Sequence, residues 1–128
     1  MSDKFTLEII SPDQTIIKQD ASEVIIPSYE GEMGILKDHI PLITFLRPGL
    51  IFIKAEEEKK YYVEEGTVEF SNNNLLILTS TARNLASFDK NSIDEQLKKE
   101  KSKLNSSIGS DKDKYIISYK IETLKAIS

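Results

Sequence analysis

The side chains able to run a reaction are few and poorly spaced for it. The chain has one histidine, His39, and no cysteine, which removes thiol nucleophiles, disulfide frameworks, cysteine zinc sites and any multi-histidine metal centre. A histidine can serve as a general base near neutral pH. His39, however, sits between a turn and Pro41 with no obvious serine partner, so it reads as a structural or interface residue. Carboxylates cluster in Glu56-Glu57-Glu58 and Glu64-Glu65, and such runs between strand patterns read as solvated turns. No Gly-x-x-x-x-Gly-Lys-[Ser/Thr], Gly-x-Gly-x-x-Gly or Gly-x-Ser-x-Gly sequence occurs, so the usual phosphate cradles and nucleophile elbow are missing. The residues therefore offer no catalytic constellation, no metal site and no cofactor motif.

The elements around these residues must fit into 128 residues and 14.5 kDa, enough for one domain with a small appendage and a core that needs no staple. No window approaches the ~20 apolar residues of a membrane span, and the start lacks a signal-peptide pattern, so a soluble cytosolic chain is expected. The net charge of -4 argues against direct binding to nucleic acid or to an anionic membrane. Its distribution is uneven: residues 1–88 hold 8 Lys+Arg against 14 Asp+Glu, and residues 89–128 hold 9 against 7.

Turn residues divide the chain at the same place. All four prolines and the glycines Gly31, Gly34, Gly49 and Gly66 precede residue 70. Between them lie short runs rich in Val, Ile, Phe, Tyr and Thr, which favour strands. The pattern predicts roughly eight to ten strands, with cores at Phe5–Ile9, Thr15–Lys18, Glu23–Pro27, Leu42–Leu46, Leu50–Lys54, Lys60–Glu64, Thr67–Phe70 and Leu75–Leu78. Such regular spacing suggests an antiparallel sandwich or barrel. Phe5, Leu7 and Ile9 alternate with polar neighbours, but Leu50–Ile53 and Leu75–Leu78 are apolar on both faces, where an antiparallel sheet usually keeps one face polar. Either the chain's own C-terminal segment or another protein must cover that second face.

From Ser92 the period becomes helical. Ser92-Ile-Asp-Glu95 has the form of a capping box, Ile93, Leu97, Leu104 and Ile108 share one stripe, and Gly109 offers a stop. Asp111 can cap a second helix from about Lys112 to Ala126, carrying Ile117, Ile121 and Leu124. Two helices of ~14 residues are marginal alone in water, so the expected hairpin must pack on something, which makes it a candidate movable element. The predicted fold class is thus mainly β: a sandwich over residues 1–88 followed by an antiparallel two-helix hairpin over residues 89–128.

The most distinctive stretch runs from Glu30 to Leu42. Glycines three apart suggest a tight loop, and Pro41 holds the chain extended ahead of the next strand. Gly31-Glu32-Met33-Gly34-Ile35-Leu36, then His39-x-Pro41-Leu42 and Leu46-x-Pro48-Gly49, resembles the signature of the epsilon subunits of bacterial and plastid F-type ATP synthases. The opening Leu7-Glu-Ile-Ile-Ser-Pro12, the Gly66 strand pair, Leu76–Thr81 and the terminal hairpin agree in register, so the resemblance covers essentially the whole chain.

That resemblance implies a ten-stranded sandwich at the foot of a rotor stalk, non-catalytic and without cofactors, bound to the gamma subunit and resting on the c ring. Glu30, Gly31, Glu32 and Met33, with His39 by proximity, match the family's c-ring contact, and one sandwich face matches the gamma contact. Gly31, Gly34, Pro41, Pro48 and Gly49 would shape the turns. In the family the hairpin can reach the alpha and beta subunits and restrain ATP hydrolysis, for which Lys98, Lys99, Lys101, Lys103, Lys112, Lys114, Lys120 and Lys125 supply positive charge. Some members bind ATP through Ile-Asp-x-x-Arg-Ala at the start of the hairpin. Here Ile93 and Asp94 remain, but Leu97 and Lys98 stand at the arginine and alanine positions, removing the charged fork that pairs with phosphates. Micromolar ATP binding is therefore not expected from the pure protein, which calorimetry checks. The resemblance also implies peripheral attachment, through the complex alone, at the cytoplasmic face of a bacterial inner membrane.

Two functions of different class follow from the sequence. A rotor-stalk subunit predicts a stable gamma complex that is lost on charging the strand face, for instance by Ile53→Asp. A freestanding sandwich with a helical lid predicts a monomer holding a small molecule or peptide beneath its helices.

Overall fold

The computed structural model describes residues 3–105 and 110–127. Ten strands lead into two helices: β1 (Phe5–Ile10), β2 (Thr15–Ala21), β3 (Glu23–Ser28), β4 (Gly31–Leu36), β5 (Leu42–Leu46), β6 (Gly49–Lys54), β7 (Lys59–Val63), β8 (Gly66–Ser71), β9 (Asn74–Leu78), β10 (Arg83–Asn84), α1 (Lys90–Asn105) and α2 (Asp111–Ile127). They form two compact units, Met1–Ala86 and Ser87–Ser128.

In the first unit the strands make one hydrogen-bonded path, β10-β7-β6-β3-β5-β8-β9-β1-β2, with β4 on the free side of β3. This sheet curls into a sandwich. The fold-over lies where β3 changes partner: Val24 faces Ile53 of β6, whereas Ser28 faces Leu46 of β5. The chain bends between β5 and β6 at Arg47-Pro48, where the Arg47 N–H donates to the Pro27 carbonyl at 2.9 Å. The expected antiparallel pairing has one departure, since β1 and β9 run parallel. These strands are joined by most of the sandwich, and a parallel pair needs such a long connection.

Alternation fixes the core. Leu7, Ile9, Val24, Ile26, Ile35, Ile51, Ile53, Val68, Phe70, Leu75 and Ile77 lie in the interior, each full burial worth about 1.5–3 kcal/mol. Phe5 and Phe70 meet edge to face at 5.6 Å. At the β7 edge, burial pushes the Tyr61 phenol above its ordinary 10.0, with a hydrogen bond to Asn84 working against the shift.

β4 is a strand where a tight loop was expected. Of its two glycines only Gly31 has positive φ, at 118°, and β4 pairs with β3 from Ser28↔Gly31 to Glu23↔Leu36. Ser28 closes the turn: its Oγ donates to the Gly31 carbonyl at 2.7 Å and accepts from the Glu30 N–H at 3.3 Å. A Cβ at Gly34 would sit 3.2 Å from Glu23 Oε2, the end of a flexible side chain that can move aside. β10 was also unanticipated; at two residues it has no period to read.

The second unit is the expected pair of helices with different caps. α1 starts at Lys90, ahead of Ser92, because Asp89 precedes it and its Oδ1 accepts from the Asn91 N–H at 3.3 Å. Ser92 and Glu95 therefore lie inside the helix. The capping box falls on α2, where Ser110 Oγ accepts from the Asp113 N–H and Asp113 Oδ2 accepts from the Ser110 N–H, both at 3.2 Å. Ser110, not Asp111, is the cap. Ile108 and Gly109, read as the end of the α1 stripe and its stop, lie outside the described residues.

Candidate interaction surface

Register determines which side chains share the outer face of the β5-β8-β9-β1 layer. Phe45 stands opposite Thr67, which stands opposite Leu78, which stands opposite Ile10; one row along come Ile43, Glu69, Leu76 and Glu8. Residues directly opposite point to the same side. Ile43 is 76% exposed, Phe45 59% and Leu78 45%, with Ile10 and Leu76 half-buried. Two carboxylates, Glu8 and Glu69, are set among these apolar groups. A shallow depression of about 260 Å³ continues the face through Thr6, Ser71 and Asn74. Ile40, 75% exposed, leads into it from the β4–β5 loop.

Of the two strands expected to be apolar on both sides, β9 thus keeps Leu78 in solvent. On β6 the outward residues Leu50 and Phe52 are half-buried, and Lys60 Nζ sits 5.3 Å from the Phe52 ring centroid. Ile53, chosen from sequence as the position at which to charge this face, belongs to the core at 1% exposure. Ile53→Asp would force an unpaired carboxylate into the interior and unfold the sandwich, so it is no probe of the surface.

The residues matched to a c-ring contact separate. Glu30, Gly31, Glu32 and Met33 gather at the β3–β4 turn, with Glu30 and Glu32 exposed and Met33 packed against the core. His39 lies beyond the other end of β4, five residues of strand away from Gly31, or about 16 Å. The expected proximity of Glu32 and His39 does not hold. The His39 ring instead stands edge-on to Phe70 at 6.0 Å with its Nδ1 2.7 Å from the Ile40 carbonyl, and the His39 backbone N–H donates to the Leu36 carbonyl at 3.1 Å.

On the hairpin, Lys98, Lys99, Lys101, Lys112, Lys114 and Lys125 are exposed. Lys103 and Lys120 are drawn to Glu100, with Nζ atoms 3.5 and 3.8 Å from its Oε1. Glu100 is 1% exposed and also accepts from Gln96 Nε2 at 3.0 Å. It completes the α1 stripe of Ile93, Leu97 and Leu104, a position that sequence reading passed over because it weighs carboxylates as surface. Spacing was the available signal: 93, 97, 100 and 104 fall at helical intervals. Ile93 is buried, Leu97 half-buried, and Asp94 and Lys98 exposed.

Among the described residues no group of three or more His, Asp and Glu is placed to hold a metal ion. Fold and surface define a class: a small β-sandwich followed by a two-helix hairpin, with exposed apolar residues on one face of the sandwich. Residues 4–85 match the model of the ATP synthase, Delta/Epsilon chain, beta-sandwich domain. The ATP synthase epsilon chain of Pelagibacter ubique is 45% identical over the full length of both chains. A mitochondrial ATP synthase subunit delta of Schizosaccharomyces pombe is 38% identical over 83% of this chain and 66% of its own. The chain belongs to the ATP synthase delta/epsilon chain family. Its fold also matches a chain in a structure of the Euglena gracilis mitochondrial ATP synthase (OSCP/F1/c-ring), with TM-score 0.80, 22% identity and coverage of 98% of this chain and 82% of that one. A chain of the Tetrahymena thermophila central stalk/c-ring assembly follows at TM-score 0.68, 14% identity and 96% coverage of both.

Proposed function

We propose that the protein is a non-catalytic subunit of the rotor central stalk of a proton-translocating F-type ATP synthase, coupling the c ring to the gamma subunit. The carrying observation is kinship of 45% over the whole of both chains with an ATP synthase epsilon chain. The exposed Ile43, Phe45 and Leu78 support it by giving the sandwich an apolar face that a free monomer would gain by covering. In this reading that face meets gamma. The Glu30–Met33 turn meets the c ring, and His39, at the far end of β4, goes with the gamma side instead. The subunit attaches to the cytoplasmic face of the membrane through the complex, and none of its described helices is long and apolar enough to cross a bilayer.

Co-expression with the gamma subunit of the same source, then size-exclusion chromatography at moderate salt, tests the proposal. A one-to-one complex is expected. Separate elution of two folded proteins would overturn it.

A further inference from the structure

The β4–β5 loop is fastened by a device that ordinary loop closure does not require. Asp38 and Asn73, 35 residues apart, both adopt left-handed backbone, with φ of 66° and 60°, a conformation Asp and Asn tolerate and one that the two-residue turn between Ser71 and Asn74 itself requires at Asn73. They exchange two hydrogen bonds: the Asp38 N–H donates to Asn73 Oδ1 at 2.7 Å, and Asn73 Nδ2 donates to Asp38 Oδ1 at 3.0 Å. The Asn73 carbonyl also accepts from the Thr6 N–H at 3.0 Å. One asparagine thus ties the β4–β5 loop to the β8–β9 turn and to β1. The loop so held presents Ile40 at 75% exposure and leads straight into Ile43 at 76%. Nothing in the free subunit gains from holding exposed isoleucines in one geometry. A docking surface does, because order present before contact is not charged against affinity.

We infer that the Asp38–Asn73 pair is a positioning clip that presets the Ile40–Ile43 segment for the gamma subunit; this rests on the reading of the β5 face as the gamma contact. The clip touches the partner only through the segment it shapes. Asp38 is exposed and Asn73 half-buried, and the two hydrogen bonds between them are exposed to solvent, so they add little to overall stability and their effect falls on the geometry of the loop.

Glycine keeps the left-handed backbone while deleting the side chain, so Asn73→Gly removes both hydrogen bonds of the clip, whereas Asp38→Gly removes only the one from Asn73 Nδ2 and leaves the backbone N–H of residue 38 to donate to Asn73 Oδ1. Asn72→Gly is the control: it shares the turn and the positive φ, at 50°, and lies outside the clip. In the full-length chain, Asn73→Gly is expected to weaken the gamma complex about tenfold, mainly through faster dissociation, and Asp38→Gly to weaken it by less. The double variant should be no weaker than Asn73→Gly, and Asn72→Gly should stay within about twofold of wild type. Amide hydrogen exchange on the free subunit should show the Asp38 N–H exchanging at least about tenfold faster in Asn73→Gly. An Asn73→Gly chain that binds gamma as tightly as Asn72→Gly would overturn the clip alone. Unchanged exchange at Asp38 would do the same, since the loop would then be held by something else. A wild-type chain that does not bind gamma would instead overturn the parent reading and the inference with it.

Discussion

Phe45→Glu is expected to weaken association with the gamma subunit by about 100-fold or more, which is roughly 2.7 kcal/mol, while the melting temperature of the free subunit stays within about 2 °C. The two effects separate because Phe45 lies 59% exposed on the outer face and takes no part in the interior. In the free chain a glutamate there stays hydrated. In the complex it would be buried without a partner, and Glu69, on β8 opposite the neighbouring Ile43, would add like-charge repulsion. Phe45→Leu keeps the apolar contact and should retain most of the affinity. Titration calorimetry with purified gamma decides the matter: a Phe45→Glu chain that binds like wild type would remove the β5 face as the contact.

Gly66→Ala should lower the stability of the sandwich by about 3 kcal/mol, combining backbone strain with overpacking. For a unit of this size that is a melting temperature lower by roughly 12 °C or more. Gly66 has a φ of 157°, and a Cβ there would sit 2.5 Å from the Leu78 carbonyl oxygen and 3.0 Å from both Leu46 Cδ1 and Thr79 Cβ. Backbone occupies the space, so no rotamer change relieves the contact. Gly31 supplies the contrast: its φ is 118°, yet a Cβ would meet nothing within 4 Å, leaving strain alone at about 1 kcal/mol. Thermal unfolding followed by circular dichroism compares the two. Equal losses at both positions would show that backbone conformation, and not the Leu78 carbonyl, makes Gly66 necessary.

Much of the fold is legible in the chain because its signals are local. The alternation of Phe5, Leu7 and Ile9 puts three side chains into the core without reference to any other strand, and Ile117, Ile121 and Leu124 similarly mark the buried side of α2. β4 escaped because its two glycines outweighed the alternation of Met33 and Ile35, which the long pairing with β3 rescues. The caps escaped for a different reason. Asp89 competes with Ser92, and Ser110 with Asp111, and the choice turns on where the first helical residue falls.

The sequence by itself determined the strand and helix classes and held the motif that marks the family. Only the tertiary structure decided that Ile53 points inward while Phe45 points outward, that His39 and Glu32 lie at opposite ends of β4, that Asp38 meets Asn73, and that Glu100 is buried beside Lys120. The reason is range. Period and turn chemistry act over a few residues, whereas the face a doubly apolar strand turns inward is set by cross-strand register. Register in turn joins residues tens of positions apart, as at Ser28 and Leu46 or at Glu8 and Leu76, and no local pattern encodes such pairings.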